Sequence, residues 1–388
     1  MLINRFDVTE EDLHKVRAGS KETLWDISKK VACYVADAIK NRNIPDFAPK
    51  ARIRHDITTG KERLIGSESA LQQCFDYVAV YACEELWKRR FLLQQCSSIK
   101  GRGQIYGAKL IRAYVVKDIR SMRWAKKNKK RYTPQCKYFA KLDAKKCYPN
   151  IDKERLMEKF GHDCGNCDII YLWTEILKSY EKVFQEVLDE NGNLQRKQYT
   201  GLLIGALPSQ WSAQYLISFV LRYALTLEIS HLVSYMDDIV VFGSNRRKLK
   251  KSIEALIKYA WNELHLPIKD TWQIKKLGES SIDMMGYVVH ADGAITMRAR
   301  NYVHSRRLIL RMWRRGWIGD KSAKRLVSYK GFYIHSDSRK ARLKIKADKA
   351  FSNAQKVISK NERRKKYEGL LFGGAAEDQV RTSPRRDG

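Results

Sequence analysis

Two adjacent carboxylates, Asp237 and Asp238, stand in a stretch that is apolar on both sides. Leu232 and Val233 precede them and residues 239–242 follow, which predicts two short β-strands joined by a turn. Like charges at the tip of a hairpin are unstable unless something cationic lies beside them, so the pair requires a divalent metal ion or a strong base. The pair is therefore the first candidate for a catalytic site.

A third carboxylate, Asp143, lies far upstream of the hairpin. Residues 138–142 predict a buried strand that ends at this aspartate. A carboxylate at a strand end and two at a hairpin tip are a donor set for two metal ions. We therefore expect Asp143, Asp237 and Asp238 to form one site.

The composition indicates a polyanionic partner. The 388 residues include 75 Lys and Arg against 43 Asp and Glu, for a formal charge of +32, more than solubility requires. The length suggests roughly two or three domains or subdomains. The sequence shows no apolar run of about 18 residues, no signal-peptide region after Met1 and no lipidation signature. We therefore expect nucleic acid, and not a membrane, as the partner.

The eight cysteines are scattered through apolar or mixed stretches and do not frame short loops. This distribution is typical of reduced thiols in a cytosol. Cys164 and Cys167 form one Cys-x-x-Cys pair with His162 nearby. The pair is either half of a zinc site or a turn with free thiols, and the lack of a second pair at zinc-ribbon spacing favours the turn.

The Tyr-Met-Asp-Asp hairpin at 235–238 and the upstream segment 141–151 together resemble the palm motifs of the reverse transcriptases. This resemblance extends from about residue 45 to about residue 338. It implies an α+β fold of the right-hand polymerase type, with fingers, a palm built on an antiparallel sheet, and a helical thumb. The expected parts are an N-terminal extension with fingers in 1–135, the palm with interleaved fingers elements in 136–290, a basic helical thumb in 291–370 and a disordered tail in 371–388.

The resemblance implies an RNA-directed DNA polymerase, a nucleotidyltransferase that works with two metal ions. In this family the three aspartates and the backbone carbonyl of Ala144 would hold two Mg²⁺ ions, which Mn²⁺ could replace. Tyr148 matches the aromatic residue beneath the nucleotide sugar, where its ring would collide with a ribose 2′-hydroxyl and so favour dNTPs. The alternative is a core tyrosine before a proline turn.

Two basic residues are candidates for contact with the nucleotide. Lys61 and Arg63 match a fingers element that contacts the incoming triphosphate, and the alternative is an ordinary charged turn before a strand. Ser67 is predicted to cap the helix that follows. Lys269 is the nearest match to a lysine that the family uses as a proton donor to pyrophosphate, but its register matches poorly, so it is not among the predicted catalytic residues.

Residues 204–210 read Ile-Gly-Ala-Leu-Pro-Ser-Gln where reverse transcriptases usually carry Gln-Gly-x-x-x-Ser-Pro. The nucleotide contacts that this motif implies are Ile204, Gly205 and Gln210. The two exchanges resemble the reverse transcriptases of diversity-generating retroelements, whose cDNA synthesis is error-prone at template adenines. Retron, group II intron-like and phage-defence reverse transcriptases stay open as alternatives, as does a non-catalytic RNA-binding protein with a polymerase fold.

Two segments resemble elements that contact primer and template. Lys100 and Arg102 lie in a glycine-flanked segment where the backbone can approach template phosphates, and the alternative is a plain loop that leads into a helix. Gly286 matches the glycine of the primer-gripping hairpin.

Residues 298–317 interleave arginines with apolar side chains at helical spacing. Arg307, Arg311 and Arg314 would share one edge of that helix, as in a thumb helix that lies along a template–primer duplex. The resemblance thus implies a structured template RNA, a cDNA–RNA duplex, dNTPs and a small accessory protein oligomer as partners. It also implies a cytoplasmic protein that is bacterial or phage-encoded.

Overall fold

In the computed structural model of the chain, Phe6 and residues 8–55, 62–188 and 194–372 are described. The helices, in chain order, are α1 (Glu10–Arg17), α2 (Lys21–Lys40), α3 (Ala70–Ala82), α4 (Glu84–Arg90), α5 (Gln104–Lys127), α6 (Lys153–Cys164), α7 (Cys167–Ser179), α8 (Leu207–Ala224), α9 (Arg246–Leu264), α10 (Ala299–Arg315), α11 (Asp320–Ser328), α12 (Lys330–Ile334), α13 (Arg339–Lys344) and α14 (Ala347–Phe372). Within these ranges, none of the helices has the length and continuous hydrophobicity needed to cross a bilayer.

The strands are β1 (Lys50–His55), β2 (Glu62–Ser67), β3 (Tyr138–Asp143), β4 (Phe184–Leu188), β5 (Leu194–Gln198), β6 (His231–Tyr235), β7 (Asp238–Gly243), β8 (Lys275–Lys276), β9 (Ile282–Met284), β10 (Tyr287–Val289) and β11 (Ile295–Met297). All strand pairs among them are antiparallel. The largest sheet has the order β6-β7-β3-β8, and β9, β10 and β11 form a three-stranded sheet. The α+β class that the sequence predicts is confirmed.

Polar side chains cap the starts of several helices, among them α2, α3, α6, α7 and α9. Each accepts a hydrogen bond from a backbone N–H of the first turn, a contact that contributes about 1 kcal/mol. The capping residues are Ser20, Ser69, Asp152, Asn166 and Asn245. The predicted cap at Ser67 is wrong, because Ser67 still belongs to β2 and the chain turns into α3 two residues later.

The chain divides into two compact units. The first contains the chain up to Leu110 together with Arg120–Lys276, and the second contains Ile111–Ile119 together with the chain from Leu277 onward. The boundaries expected for fingers, palm and thumb stay predictions. Most of the expected tail, from residue 373, lies outside the described residues.

Strand β7 and helix α8 form the centre of the first unit. Residues 239–243 are buried on both faces of β7, which explains their continuous apolar sequence. Helix α8 is buried around most of its circumference. Aromatic rings of three helices and of Phe91, the residue after α4, surround Trp87; those of the helices belong to Phe160, Trp173, Trp211 and Tyr215.

The second unit has its own core between its helices. Ile309 and Met312 of α10 pack with Leu326 of α11, Tyr333 of α12 and Phe351 of α14. The last part of the region 291–370, which the sequence predicts to be basic and helical, forms two helices, α13 and α14. They are separated at Lys346, which has a φ of 51°.

An unpaired acid is buried in the first unit. Asp76 of α3 is 1% exposed, and neither of its carboxylate oxygens has a hydrogen-bond partner among the described residues. Burial, reinforced by the neighbouring charge of Glu68, raises the pKa of Asp76 to about 9. Asp76 is therefore protonated in the folded chain at neutral pH, whereas in the unfolded chain it ionises near pH 4, an ordinary value of about 3.9.

We expect Asp76→Asn to flatten the pH dependence of the free energy of unfolding between about pH 4 and pH 9. The raised pKa means that this carboxyl favours folding only below pH ~4, and its contribution is lost as pH rises through that window, at up to about 1.4 kcal/mol per pH unit. Urea denaturation at about pH 5, 7 and 9 measures this slope. Asp26→Asn, at an exposed position of α2, is the control; an unchanged slope in Asp76→Asn would contradict the prediction.

Candidate active site

Strands β6 and β7 place Asp237 and Asp238 at the tip of a hairpin. Tyr235 pairs with Asp238, so Met236 and Asp237 are the two residues of the turn. Met236 has a φ of 53°, as tight hairpin turns require of a central residue. A non-glycine residue costs about 1–2 kcal/mol in this left-handed conformation, and the buried strand pairs on either side offset that strain.

Strand β3 brings Asp143 to the same edge of the sheet. It runs antiparallel to β7, and Asp143 is the register partner of Asp238. The next residue, Ala144, donates its N–H to the carbonyl of Asp237 at 3.3 Å. The three predicted carboxylates, distant in sequence, therefore meet at one end of the sheet.

This concentration of negative charge changes the acidity of the groups within it. Burial raises the pKa of Asp237, and the charges of Asp238 and Asp143 raise it further. Burial also raises the pKa of the nearby Cys147 thiol to about 12, with the charges of Asp237 and Asp143 acting in the same direction. The thiol is therefore neutral at physiological pH and adds no further negative charge to the three acids.

Two lysines supply a counter-charge to these acids. Lys269 Nζ lies 2.6 Å from Asp143 Oδ2, and Lys141 Nζ lies 3.0 Å from Asp238 Oδ2. The backbone also holds Lys269, because its N–H donates to the carbonyl of Asp143 at 2.9 Å. Neither lysine belongs to the site that the sequence predicts. Strand alternation gave a usable signal for Lys141, which lies on the same face as Asp143.

A short 3₁₀ helix, Tyr148–Asn150, follows β3 after four intervening residues. The backbone carbonyl of Tyr148 accepts a hydrogen bond from the N–H of Leu202 at 2.8 Å. A Cβ atom at Gly201 would lie 2.4 Å from the carbonyl oxygens of Tyr148 and Pro149, so only glycine fits there. Burial raises the pKa of the Tyr148 hydroxyl, which therefore stays protonated.

The 204–210 motif is also tied to the second strand of the chain. The N–H of Gly66 in β2 donates to the carbonyl of Ile204 at 2.8 Å. Gly205 has a φ of 109°, and a Cβ there would lie 3.1 Å from the carbonyl oxygen of Gly66. Arg63 is exposed on the same strand. Three predicted nucleotide contacts therefore lie on segments that pair with each other, while Lys61 lies outside the described residues.

The other predicted contacts in the first unit differ in their availability. Gln210 is half-buried in the first turn of α8, and Lys100 is exposed. The guanidinium of Arg102 donates to the carbonyls of Leu92 at 2.5 Å and Gln95 at 3.1 Å. Arg102 therefore holds its own loop together, and its contact with template stays a prediction.

Four predicted contacts belong to the second unit and are described within it. Gly286 has a φ of 82° between β9 and β10, and a Cβ there would lie 2.6 Å from the ring of Phe332. Arg307, Arg311 and Arg314 are exposed on α10, a helix without an acidic residue.

The Cys-x-x-Cys pair forms a turn between two helices. Cys164 ends α6, Gly165 adopts a left-handed conformation, and Asn166 caps α7, which begins at Cys167. Both thiols are free. The turn that the sequence predicts is therefore present, and a metal-binding role of the pair is untested.

Residues 106–288, which include the three clustered aspartates, match the family model described as reverse transcriptase (RNA-dependent DNA polymerase). The chain carries a reverse transcriptase domain. The predicted enzyme class, an RNA-directed DNA polymerase and nucleotidyltransferase, is confirmed, as is the predicted right-hand polymerase fold.

No curated protein matches the chain. Similar solved structures include apo telomerase from Candida tropicalis, at 13% identity and a TM-score of 0.49, covering 90% of this chain and 67% of that one. Telomerase from Candida albicans in complex with a TWJ fragment of telomeric RNA is similar at 12% identity and a TM-score of 0.49, covering 86% of this chain and 66% of that one. The C-terminally truncated C. tropicalis telomerase is similar at 16% identity and a TM-score of 0.44, covering 70% of this chain and 60% of that one. The chain thus spans about two thirds or less of these telomerases, and similarity at this level carries no argument about activity or partners.

Reverse transcriptase domains generally use divalent metal ions, and the donor set of this domain suits such an ion. Asp143 Oδ1 is buried without a hydrogen-bond partner among the described residues. Burial raises the pKa of Asp237, as do the charges of Asp238 and Asp143, and a bound divalent cation would act in the opposite direction by favouring the ionised carboxylate. Two of the three carboxylates are instead bonded to lysine ammonium groups. The three carboxylates are a suitable donor set for a divalent ion, but in this structure no three acidic, histidine or cysteine side chains of the described ranges stand close enough to hold one. An ion would have to take the place of an ammonium group and draw the carboxylates together.

We expect Lys269→Ala to bind Mg²⁺ about fivefold more tightly than the parent reverse transcriptase domain. The ammonium of Lys269 competes with the ion for Asp143, and the substitution removes that competition along with one positive charge. Titration calorimetry with Mg²⁺ in the absence of dNTPs measures the affinity. Lys258→Ala, which removes an exposed cation of α9, is the control; equal Mg²⁺ affinities for Lys269→Ala and the parent would rule the competition out.

Proposed function

We propose that the reverse transcriptase domain copies a structured retroelement RNA into cDNA from dNTPs by two-metal nucleotidyl transfer. The observation that carries this proposal is the meeting of Asp143, Asp237 and Asp238 at one edge of the β6-β7-β3-β8 sheet. Three carboxylates concentrated at one point oppose folding unless cations offset them. Catalysis gives a reason for their presence.

Each proposed role belongs to a residue of that edge. Two Mg²⁺ ions, or Mn²⁺ in their place, held by Asp143, Asp237 and the Ala144 carbonyl, would activate the primer 3′-hydroxyl and neutralise the triphosphate, with Asp238 supporting the cluster. No backbone N–H of the described residues donates to the Ala144 carbonyl outside regular secondary structure, which supports its role as a donor to an ion.

The surrounding segments would position the nucleotide. The ring of Tyr148 would lie beneath the sugar, and the backbone contact with Gly201 fixes the turn that carries it. Arg63, together with Lys61, would add positive charge at the β- and γ-phosphates, where phosphoryl transfer concentrates negative charge. The bonding of β2 to Ile204 supports a shared nucleotide site for these segments.

We expect Asp237→Asn to abolish primer extension while binding RNA with nearly the parent affinity. The substitution removes one metal-binding charge but keeps the size of the side chain, and it leaves the basic surfaces of the chain untouched. Mg²⁺-dependent incorporation of dNTPs on a primed RNA template measures activity, and a filter-binding assay measures affinity. Asp37→Asn, at an exposed position of α2, should behave as the parent. Full activity of Asp237→Asn would falsify the assignment.

We infer further that the enzyme is of the diversity-generating type, with cDNA synthesis that is error-prone at template adenines. The exchanges at Ile204 and Gln210 support this subtype. The contact of Ile204 with β2 uses its backbone carbonyl, so its side chain can vary without loss of that pairing. The half-buried aliphatic side chain of Ile204, beside Gly205, would alter how the template base is read.

We expect Ile204→Gln to lower the error frequency at template adenines by about tenfold and to change the extension rate much less, because a hydrogen-bonding side chain adds discrimination of about 1.4 kcal/mol. Sequencing of cDNA made on the cognate RNA, with its accessory protein present, measures the errors. Ile204→Val is the control. Faithful synthesis by the parent protein would favour the retron, group II intron-like or phage-defence type instead.

A non-catalytic RNA-binding protein with a polymerase fold is the second candidate. The basic composition alone supports it. It gives no reason for the carboxylates at the sheet edge, where burial and, to a lesser extent, the charges of Asp238 and Asp143 raise the pKa of Asp237. The proposed partners of the catalytic protein are the template RNA, its duplex with cDNA and a small accessory protein oligomer.

A further inference from the structure

A cavity of about 190 Å³ lies where α10 ends and α11 begins in the second unit. Three of the five less exposed lining residues are apolar, namely Leu308, Met312 and Ile318, and the other two are Gly319 and Ser322. The exposed lining residues are Arg311, Arg315 and Trp317. The cavity thus combines a mostly apolar interior with a rim of two guanidinium groups and one indole ring.

The position of Trp317 is determined by the turn that precedes it. Gly316 ends α10 with a φ of 74°, and the chain reverses so that the indole ring lies 5.9 Å from the guanidinium of Arg315. A Cβ at Gly319 would lie 3.6 Å from Cζ3 of the ring, so the ring lies against the backbone at the start of α11. The side chain is nonetheless 62% exposed. A large aromatic surface is therefore available beside two cations.

The charge around the cavity is almost entirely positive. Residues 299–328 contain one acidic side chain, that of Asp320, and it lies 3.0 Å from the ammonium of Lys324. Arg311 and Arg315, one helical turn apart, show no ion pair with any residue of the described ranges. A guanidinium group without an ion-pair partner can bind a phosphate group through two parallel hydrogen bonds.

We propose that this cavity binds one unpaired nucleotide of a nucleic acid strand, with its base stacked on Trp317 and its phosphate bound by Arg311 and Arg315. Aromatic faces beside cationic groups are the means by which proteins bind single strands, because every unpaired base exposes a π-face. A duplex keeps its bases stacked internally and offers only phosphates. The small volume accommodates one ring system and excludes a base pair.

This binding of unpaired nucleic acid by the second unit is an activity separate from the copying of the template. It needs neither metal ions nor dNTPs, and it is tested in their absence. The shared chemistry is that of an unpaired nucleotide, which either RNA or single-stranded cDNA supplies. The two sources are distinguished by the probe.

The test uses the full chain with fluorescein-labelled probes of roughly 10 nucleotides: oligouridine, oligothymidine and a blunt RNA duplex of the same length. Salt of about 0.3 M suppresses binding that depends on charge alone. We expect Trp317→Ala to weaken oligouridine binding about tenfold and duplex binding less than about twofold. Trp317→Phe should restore most of the affinity, because the aromatic face is kept. Equal loss with oligothymidine identifies any unpaired strand as the ligand, and loss confined to oligouridine identifies RNA.

Trp25→Ala is the matched control, since Trp25 is 63% exposed beside Lys29 at 5.8 Å but lies in the first unit. A thermal melt of each variant shows whether folding is preserved, which the exposure of Trp317 favours. Photocrosslinking of a 4-thiouridine probe should label the peptide that contains Trp317. Unchanged oligouridine binding by Trp317→Ala, equal losses for single strand and duplex, or an equal loss in Trp25→Ala would each overturn the proposal.

Discussion

The register between β3 and β7 is the constraint on which the first unit depends. Side chains alternate along a strand, so a slip of one residue would move Asp143 away from Asp238 and turn the buried apolar residues of β7 toward solvent. The continuous burial of residues 239–243 therefore sets the register, and the register places the carboxylates. Packing and chemistry are determined by the same row of hydrogen bonds. Without this strand pairing, electrostatic repulsion would separate the carboxylates of Asp143 and Asp238.

Backbone contacts connect this edge to its surroundings without using side chains. Gly201 lies against the carbonyls of Tyr148 and Pro149, and the carbonyl of Ile204 is bonded to Gly66. Contacts of this kind hold a segment in place while its side chains remain free to differ. This arrangement explains how the 204–210 motif can depart from the usual reverse transcriptase pattern at two positions within an intact reverse transcriptase domain.

The sequence predicted the elements whose pattern is local, and it failed where a contact depends on tertiary structure. The hairpin, the strand that ends at Asp143 and the helix with Arg307 follow from alternation or helical spacing over neighbouring residues. Lys269 follows the irregular segment after α9 and reaches Asp143 through an isolated bridge at Ile268, which has no periodic signal. The contact of Arg102 with two carbonyls of its own loop is equally invisible, since an arginine in a basic chain looks like a phosphate contact. The Ser67 error was one of boundary, because both Ser67 and Ser69 are suitable caps and only the length of β2 decides between them.

The lysine ammonium groups at the sheet edge also bear on how the protein matures. A chain that carries its own cations can complete the fold around its acids during synthesis, whatever the supply of divalent ions at that moment. An incoming divalent ion would then exchange with an ammonium group inside a finished scaffold and would not be needed to nucleate it. The newly made protein is consequently expected to persist as a folded, dormant precursor, and the transition to a competent enzyme becomes a local exchange of ions, reversible by chelation without unfolding.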